Sequence, residues 1–181
     1  KKFSNSTIQQ NIIFYPDSPR IDFETTVDWH ETFHLLKVAF PVNVLSTFAT
    51  YDVQFGHYQR PTHWNTSWDY ARFEVFAHKW ANLSQPDFGV ALLNDCKYGY
   101  DIKDNVMRLT LLKSSEYPNP EADRGIHHFT YSIFPHQGDS ALGEVIEQGY
   151  LVNHSLNPII IEKHEEEKAV YPLKDREFSF C

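Results

Sequence analysis

The amino-acid sequence predicts an all-β fold, a large antiparallel β-sandwich with one short helix. Two observations carry this prediction. Apolar and polar side chains alternate across residues 21–29, the period-two pattern of a half-buried strand. The 10 tyrosines and 14 phenylalanines of the 181-residue chain also favour strands over helices.

Seven short segments are predicted as strands. The first is followed by an apolar run that Pro41 closes, and later segments alternate again. Turn-forming pairs such as Asn94 with Asp95 and Asp104 with Asn105 separate several of them, because Asn and Asp tolerate left-handed backbone. Short strands at this spacing are typical of a sandwich. The predicted strands are 21–29, 35–40, 47–55, 71–77, 89–93, 106–112 and 127–134.

One helix is predicted after the last of these strands. Apolar residues recur there at helical spacing, and Asp139 or Ser140 is placed to cap the segment. Two interior glycines weaken the pattern. The apolar positions are Leu142, Val145, Ile146 and Tyr150.

The chain divides into two predicted parts. Residues 1–156 form the β-sandwich domain. Residues 157–181 form a linker and the start of a further β element, because a mixed charge run is followed by Phe178 and Phe180 on either side of a serine. This pattern stops abruptly, so we expect the chain to be part of a longer protein.

Charge and composition exclude some partners. The 16 basic and 24 acidic side chains give a net charge of −8, which repels phosphate backbones, so nucleic acid is not an expected partner. No run of about 18 apolar residues is present, so no membrane partner is expected either. The two cysteines, Cys96 and Cys181, do not describe a disulfide scaffold, and a cytoplasmic location is expected.

The segment 60–83 is the strongest candidate for a binding surface. It holds three tryptophans, which suit either a core edge or stacking on a sugar ring. Polar side chains on its loops are of types that hydrogen-bond sugar hydroxyls, yet an arginine before a proline and a buried tryptophan also lock a loop against a sheet. The sequence leaves both interpretations open, a substrate-pocket rim and a structural plug. The candidate rim residues are Arg60, His63, Trp64, Asn65, Trp68, Asp69, Lys79 and Trp80.

Residues 30–34 read HETFH and match the zinc-protease signature HExxH. That chemistry requires both histidines on one face of a helix. Here the motif lies between two predicted strands, and no helical periodicity surrounds it. We therefore interpret the match as a turn and predict no metal ligand in it.

Seven segments spread across residues 21–148 carry a family resemblance. They read FETTVDWHE, LLKVAFPV, ATYDVQFG, RPTHWNTSWDYARFEVFAHKWANLS, DFGVALLND, KYGYD and ADRGIHHFTYSIFPH. In order and without a long gap, they resemble the C-terminal β-rich region of cytosolic and vacuolar α-mannosidases of glycoside hydrolase family 38. The resemblance implies a galactose mutarotase-like super-sandwich. It also implies that zinc and the nucleophile belong to an N-terminal catalytic domain, so no cofactor and no catalytic residue are expected in this chain.

A retaining glycosidase needs two carboxyl groups roughly 5 Å apart. Asp69 and Glu74 are the nearest candidates in the aromatic segment. We expect structural roles for both, with Asp69 accepting hydrogen bonds from turn amides and Glu74 pairing with a base. This expectation agrees with the resemblance, which places the nucleophile elsewhere.

The resemblance implies a function for the whole enzyme. It would hydrolyse terminal α-mannosides of mannose-containing oligosaccharides with retention, using zinc. This chain would shape the active-site wall and pack against the N-terminal catalytic domain, within a homo-oligomer in the cytoplasm, or in the vacuole of a fungus. The alternative function is a free-standing carbohydrate-binding module. A third is an assembly part with the aromatic segment at an interface.

Overall fold

The computed structural model describes residues 1–154, which form twelve strands, two helices and a 3₁₀ turn. The strands are β1 Lys2–Phe3, β2 Ser6–Tyr15, β3 Ser18–Trp29, β4 Leu36–Pro41, β5 Phe48–Val53, β6 Gly56–Pro61, β7 Val75–Phe76, β8 Trp80–Ser84, β9 Gly89–Asn94, β10 Gly99–Lys103, β11 Val106–Leu112 and β12 Gly125–His136. The helices are α1 Ser67–Ala71 and α2 Leu142–Asn153, and the 3₁₀ turn is Asp139–Ala141.

The strands form two antiparallel sheets. The large sheet has eight strands in the order β1-β2-β3-β12-β9-β8-β5-β6, and the small sheet has four in the order β4-β11-β10-β7. The main core lies between their inner faces. Val27, Tyr51 and Leu92 of the large sheet are buried there with Met107 and Leu109 of the small sheet. Alternate residues of β10 and β11 are buried in this core, as a sandwich requires.

Helix α2 covers the outer face of the large sheet. Trp80 of β8, Phe134 of β12 and Val145 of the helix form a second buried cluster there. Gly149 brings the helix backbone close to the sheet, because a Cβ at this position would lie 2.7 Å from Trp80 Cδ1. The domain therefore has three layers, in the order small sheet, large sheet and helix.

The predicted all-β sandwich is confirmed. Six of the seven predicted strands coincide with β3, β4, β5, β9, β11 and β12 to within a few residues. The prediction lacks the strands β1, β2, β6, β8 and β10, and β8 shows why. Its first four residues are all buried, because Ala81 and Leu83 face the main core while Trp80 packs under α2, so the strand lacks the solvent-exposed face that marks an ordinary sandwich strand. The predicted linker and β element at 157–181 lie outside the described residues.

The predicted strand 71–77 is wrong except at Val75–Phe76, which form the two-residue strand β7 after α1 has ended at Ala71. Thr66 caps the helix, since its hydroxyl accepts a hydrogen bond from the Asp69 amide while the Asp69 carboxylate accepts one from the Thr66 amide. This reciprocal capping box starts a helix that ends at Ala71, so the first residue of the predicted strand belongs to the helix.

The predicted helix is confirmed as α2, but its predicted capping is wrong. Ala141 is the N-cap residue, and no side chain caps the helix. Asp139 lies earlier, in the 3₁₀ turn, where its Oδ1 accepts a hydrogen bond from Ser84 Oγ at 2.6 Å. The carboxylate therefore ties the turn to β8.

Candidate functional site

Arg60 fills the gap between the open edges of the two sheets. It lies on β6, the edge strand of the large sheet, and its guanidinium carbon is 4.7 Å from the ring centre of Tyr51, 5.5 Å from that of Tyr58 and 5.1 Å from that of Phe76. Burial lowers the pKa of Arg60, and its Nη1 has no hydrogen-bond partner within residues 1–154. Cation–π contacts with three rings hold this side chain in place, so its role in the described structure is to close the core.

Asp69 and His63 lie beside α1. Asp69 Oδ2 accepts hydrogen bonds from the Thr66 amide at 3.2 Å and from the Thr66 hydroxyl at 2.8 Å. His63 Nδ1 is 3.6 Å from the same oxygen, too far for a hydrogen bond. Glu74 forms an ion pair with Lys37 at 2.7 Å. Both carboxylates have the structural roles that the sequence predicts.

Trp64, Asn65 and Trp68 lie on the surface around α1. Trp64 makes an edge-to-face contact with Tyr70, and the Nζ atom of Lys103 is 4.0 Å from its ring centre. Trp68 is 76% exposed, and the side chain of Asn65 is exposed as well. Tyr70, Phe73 and Phe76, from the same segment, are also more than half exposed. We call the group formed by Trp64, Trp68, Tyr70, Phe73 and Phe76 the aromatic surface.

Lys79 and Trp80 do not belong to this group. Trp80 is 1% exposed and lies in the cluster under α2. The Nζ atom of Lys79 is 4.7 Å from the ring centre of Tyr150 on α2, and the Lys79 amide donates to Asp52 Oδ2 at 2.9 Å. The eight predicted rim residues are therefore divided between the edge of the core and the helix-covered face of the large sheet.

The cleft at the sheet edge is nearly full. It lies between β6, α1 and the small sheet, with a free volume of about 20 Å³, which is room for about one water molecule. A sugar ring does not fit into so small a space. For Arg60 the plug interpretation therefore describes the geometry better than the rim interpretation. Its lining residues are Tyr51, Arg60, Pro61, Trp64, Asp69, Arg72, Phe73, Val75, Tyr100, Asp101 and Ile102.

A larger concavity, absent from the sequence prediction, lies on the outer face of the large sheet beside the 3₁₀ turn. Its volume is about 360 Å³. We call it the outer groove. A hairpin prediction for 47–61 would have indicated part of this groove, because Thr50 on β5 pairs with Gln59 on β6. The outer groove is lined by Ser46, Phe48, Thr50, Gln59, Asn82, Ser84, Asp139 and Leu142.

The HExxH match is a turn, as predicted. His30 follows the end of β3, and Phe33 has the positive φ of 53° that a helix excludes. Glu31 accepts hydrogen bonds from the Asn5 amide and the Ser6 hydroxyl, both at 2.9 Å, and so ties the turn to the N-terminal strands. Within residues 1–154 no three His, Cys, Asp or Glu side chains are grouped to hold a metal, so these residues do not fit a zinc site.

Residues 1–121 match the family described as "Glycosyl hydrolases family 38 C-terminal domain". The chain belongs to glycoside hydrolase family 38. This family 38 chain is 52% identical over 151 residues to Alpha-mannosidase G of Dictyostelium discoideum, a match that covers 83% of the chain and 14% of the relative. It is 49% identical over 152 residues to human Alpha-mannosidase 2C1, a match that covers 84% of the chain and 15% of the relative.

The family 38 domain also has relatives among solved structures. The crystal structure of an α-mannosidase from Enterococcus faecalis superposes with a TM-score of 0.72 at 20% identity, over 79% of the chain and 17% of that protein. This similarity supports the fold. The chain spans about 14–15% of the length of the two curated relatives above. No helix within residues 1–154 is long and apolar enough to cross a membrane.

Proposed function

We propose that this chain is the non-catalytic C-terminal β-domain of a zinc-dependent, retaining α-mannosidase that hydrolyses terminal α-mannosides of mannose-containing oligosaccharides. Its role is to pack against the N-terminal catalytic domain and to form part of the active-site wall. The observation that carries this proposal is the aromatic surface on and around α1. Trp68, Tyr70, Phe73 and Phe76 are each more than half exposed, on a domain that matches a small part of much longer relatives.

Exposed aromatic area of this kind marks a contact surface. Single exposed apolar residues are ordinary, but several aromatic rings on one short segment form a patch of the type that packs against a partner. The two curated relatives contain several hundred residues beyond the matched part, since that part is about one seventh of their length. The partner we propose is therefore the rest of the same enzyme.

The wall residues are held from behind by the domain. Arg60 closes the core under this region, and the Thr66–Asp69 capping box fixes the start of α1. Rigid support of this kind keeps a wall in one position, and small displacements of positioning groups lower rates strongly. Zinc, held outside residues 1–154, would polarise the substrate and bind its hydroxyls. Two carboxyl groups of the catalytic domain would supply the nucleophile and the acid.

The proposal extends to the setting of the enzyme. We propose a homo-oligomer in the cytoplasm, or in the vacuole of a fungus, acting in mannose metabolism. The low cysteine count supports a reducing compartment. The alternative is a free-standing carbohydrate-binding module, which predicts that the isolated chain binds mannose without a catalytic partner.

The test uses the complete protein that contains this chain, with Trp68→Ala compared with Phe55→Ala. Both residues are exposed aromatics, but Phe55 lies in the β5–β6 hairpin, outside the aromatic surface. We expect Trp68→Ala to lower kcat/KM for a chromogenic α-mannoside by roughly tenfold, and Phe55→Ala to leave it unchanged. Amide exchange in α1 should also be slower in the complete protein than in the isolated chain. Equal activity of both variants, with equal exchange, would contradict the proposal.

A further inference from the structure

The outer groove presents a row of polar side chains across three neighbouring strands. Thr50 of β5 pairs directly with Gln59 of β6 and with Asn82 of β8, so these three residues lie side by side on the outer face of the large sheet. Ser84 is two residues further along β8 and therefore points to the same face. Asp139 of the 3₁₀ turn closes the row by accepting a hydrogen bond from Ser84 Oγ.

Hydrogen bonds within the domain hold one side of this row in place. His136 of β12 is buried, and its Nε2 is 2.7 Å from Asn82 Oδ1. This contact fixes the amide of Asn82, whose Nδ2 has only a long contact of 3.5 Å with Ser84 Oγ. Asn82 is only 3% exposed, so it forms part of the floor of the groove.

The opposite side of the row has free hydrogen-bonding capacity. The side chains of Thr50 and Gln59 make no hydrogen bond within residues 1–154, and Asp139 is exposed beyond its bond to Ser84. The Thr50 hydroxyl, the Gln59 amide and the Asp139 carboxylate thus offer both donors and acceptors. Phe48, which is half exposed, adds an aromatic ring to the same concavity.

We propose that the outer groove binds a neutral hexopyranose residue of a glycan. Each sugar hydroxyl both donates and accepts, which matches the mixed lining, and an aromatic ring can cover the C–H face of the sugar. The volume of about 360 Å³ lies in the range of small-molecule sites, roughly 300–1,000 Å³. The lining includes one carboxylate and no Lys, Arg or His, so it disfavours anionic sugars.

This site is distinct from the aromatic surface. The outer groove lies on the face of the large sheet that α2 covers in part, whereas Arg60 and the edge cleft lie on the side of the inter-sheet core. The inference does not rest on the proposed packing role.

The experiment measures sugar binding by the complete protein that contains this chain. The probe is methyl β-D-mannopyranoside, whose anomeric linkage an α-specific site does not cleave, with methyl β-D-glucopyranoside and D-glucuronate beside it. Saturation-transfer NMR and calorimetry report binding. The groove variants are Gln59→Ala and Asp139→Ala, both at exposed positions, and the matched control is Gln54→Ala in the turn of the same hairpin.

We expect the wild type and Gln54→Ala to bind a neutral hexoside equally, and each groove variant to weaken binding about tenfold, the equivalent of one lost hydrogen bond. The value of kcat/KM for a chromogenic α-mannoside should be the same in all four proteins, which shows that the variants remain folded and active. Hexoside binding that is absent in the wild type, or unchanged in both groove variants, would overturn the inference. Glucuronate binding as tight as hexoside binding would also overturn it.

Discussion

Replacing Trp80 by alanine tests the assignment of this residue to the core. The side chain is 1% exposed and packs with Ala91, Leu93, Phe134 and Val145 between the large sheet and α2. A buried tryptophan of about 150–250 Å² corresponds to roughly 4–6 kcal/mol at about 25 cal/mol per Å², and this is an upper bound. Measured losses for such truncations are about 3–5 kcal/mol. We therefore expect Trp80→Ala to lower the free energy of unfolding by about 3–4 kcal/mol.

The matched control is Trp68→Ala, at a side chain that is 76% exposed. This change should alter the free energy of unfolding of the chain by no more than about 0.5 kcal/mol. The assay is urea unfolding followed by far-ultraviolet circular dichroism, because tryptophan fluorescence changes with either substitution. A loss below about 1 kcal/mol for Trp80→Ala, or equal losses for the two variants, would refute the assignment.

Three further predictions use the same assay. Gly149→Ala should destabilise the chain by about 1–3 kcal/mol, because the added Cβ would lie 2.7 Å from Trp80 Cδ1. Gly143→Ala has open space around it and should stabilise the chain by up to about 1 kcal/mol. The reverse order of stability would contradict the packing of α2 on the sheet. Burial lowers the pKa of His136 below its ordinary 6.5, so the unfolded chain binds more protons than the folded chain and stability should fall as the pH drops below 6.5. His136→Gln should reduce this pH dependence. An identical pH profile of stability in the variant would contradict the role of His136. Thr66→Ala should cost about 0.5–2 kcal/mol by removing the cap of α1, while Thr66→Ser retains it; equal stability of the two would exclude a capping role.

Much of the sandwich can be predicted from the sequence because its strands have one buried and one polar face. The alternation across 21–29 corresponds to the inward and outward sides of β3. The pattern fails where both faces are covered, as in β8, which lies between the main core and α2. It also fails at the start of 71–77, because the helix that Thr66 and Asp69 cap extends to Ala71.

The candidate site is harder to predict, because two tryptophans of the same segment have opposite environments. Trp68 and Trp80 are twelve residues apart in the sequence, yet one lies on the surface of a short helix and the other under α2. Their difference depends on a helix more than sixty residues further along the chain. The outer groove likewise depends on pairing between β5, β6 and β8 and on the 3₁₀ turn, which no single segment reveals.

Hydrolysis of a chromogenic α-mannoside by the 181-residue chain alone, beside the complete protein and with zinc supplied to both, tests the central claim most directly. We expect turnover by the complete protein and none by the chain alone, because we propose that the catalytic domain supplies the nucleophile, the acid and the zinc ligands. Turnover by the isolated chain would contradict the account, since catalytic groups would then lie within these residues.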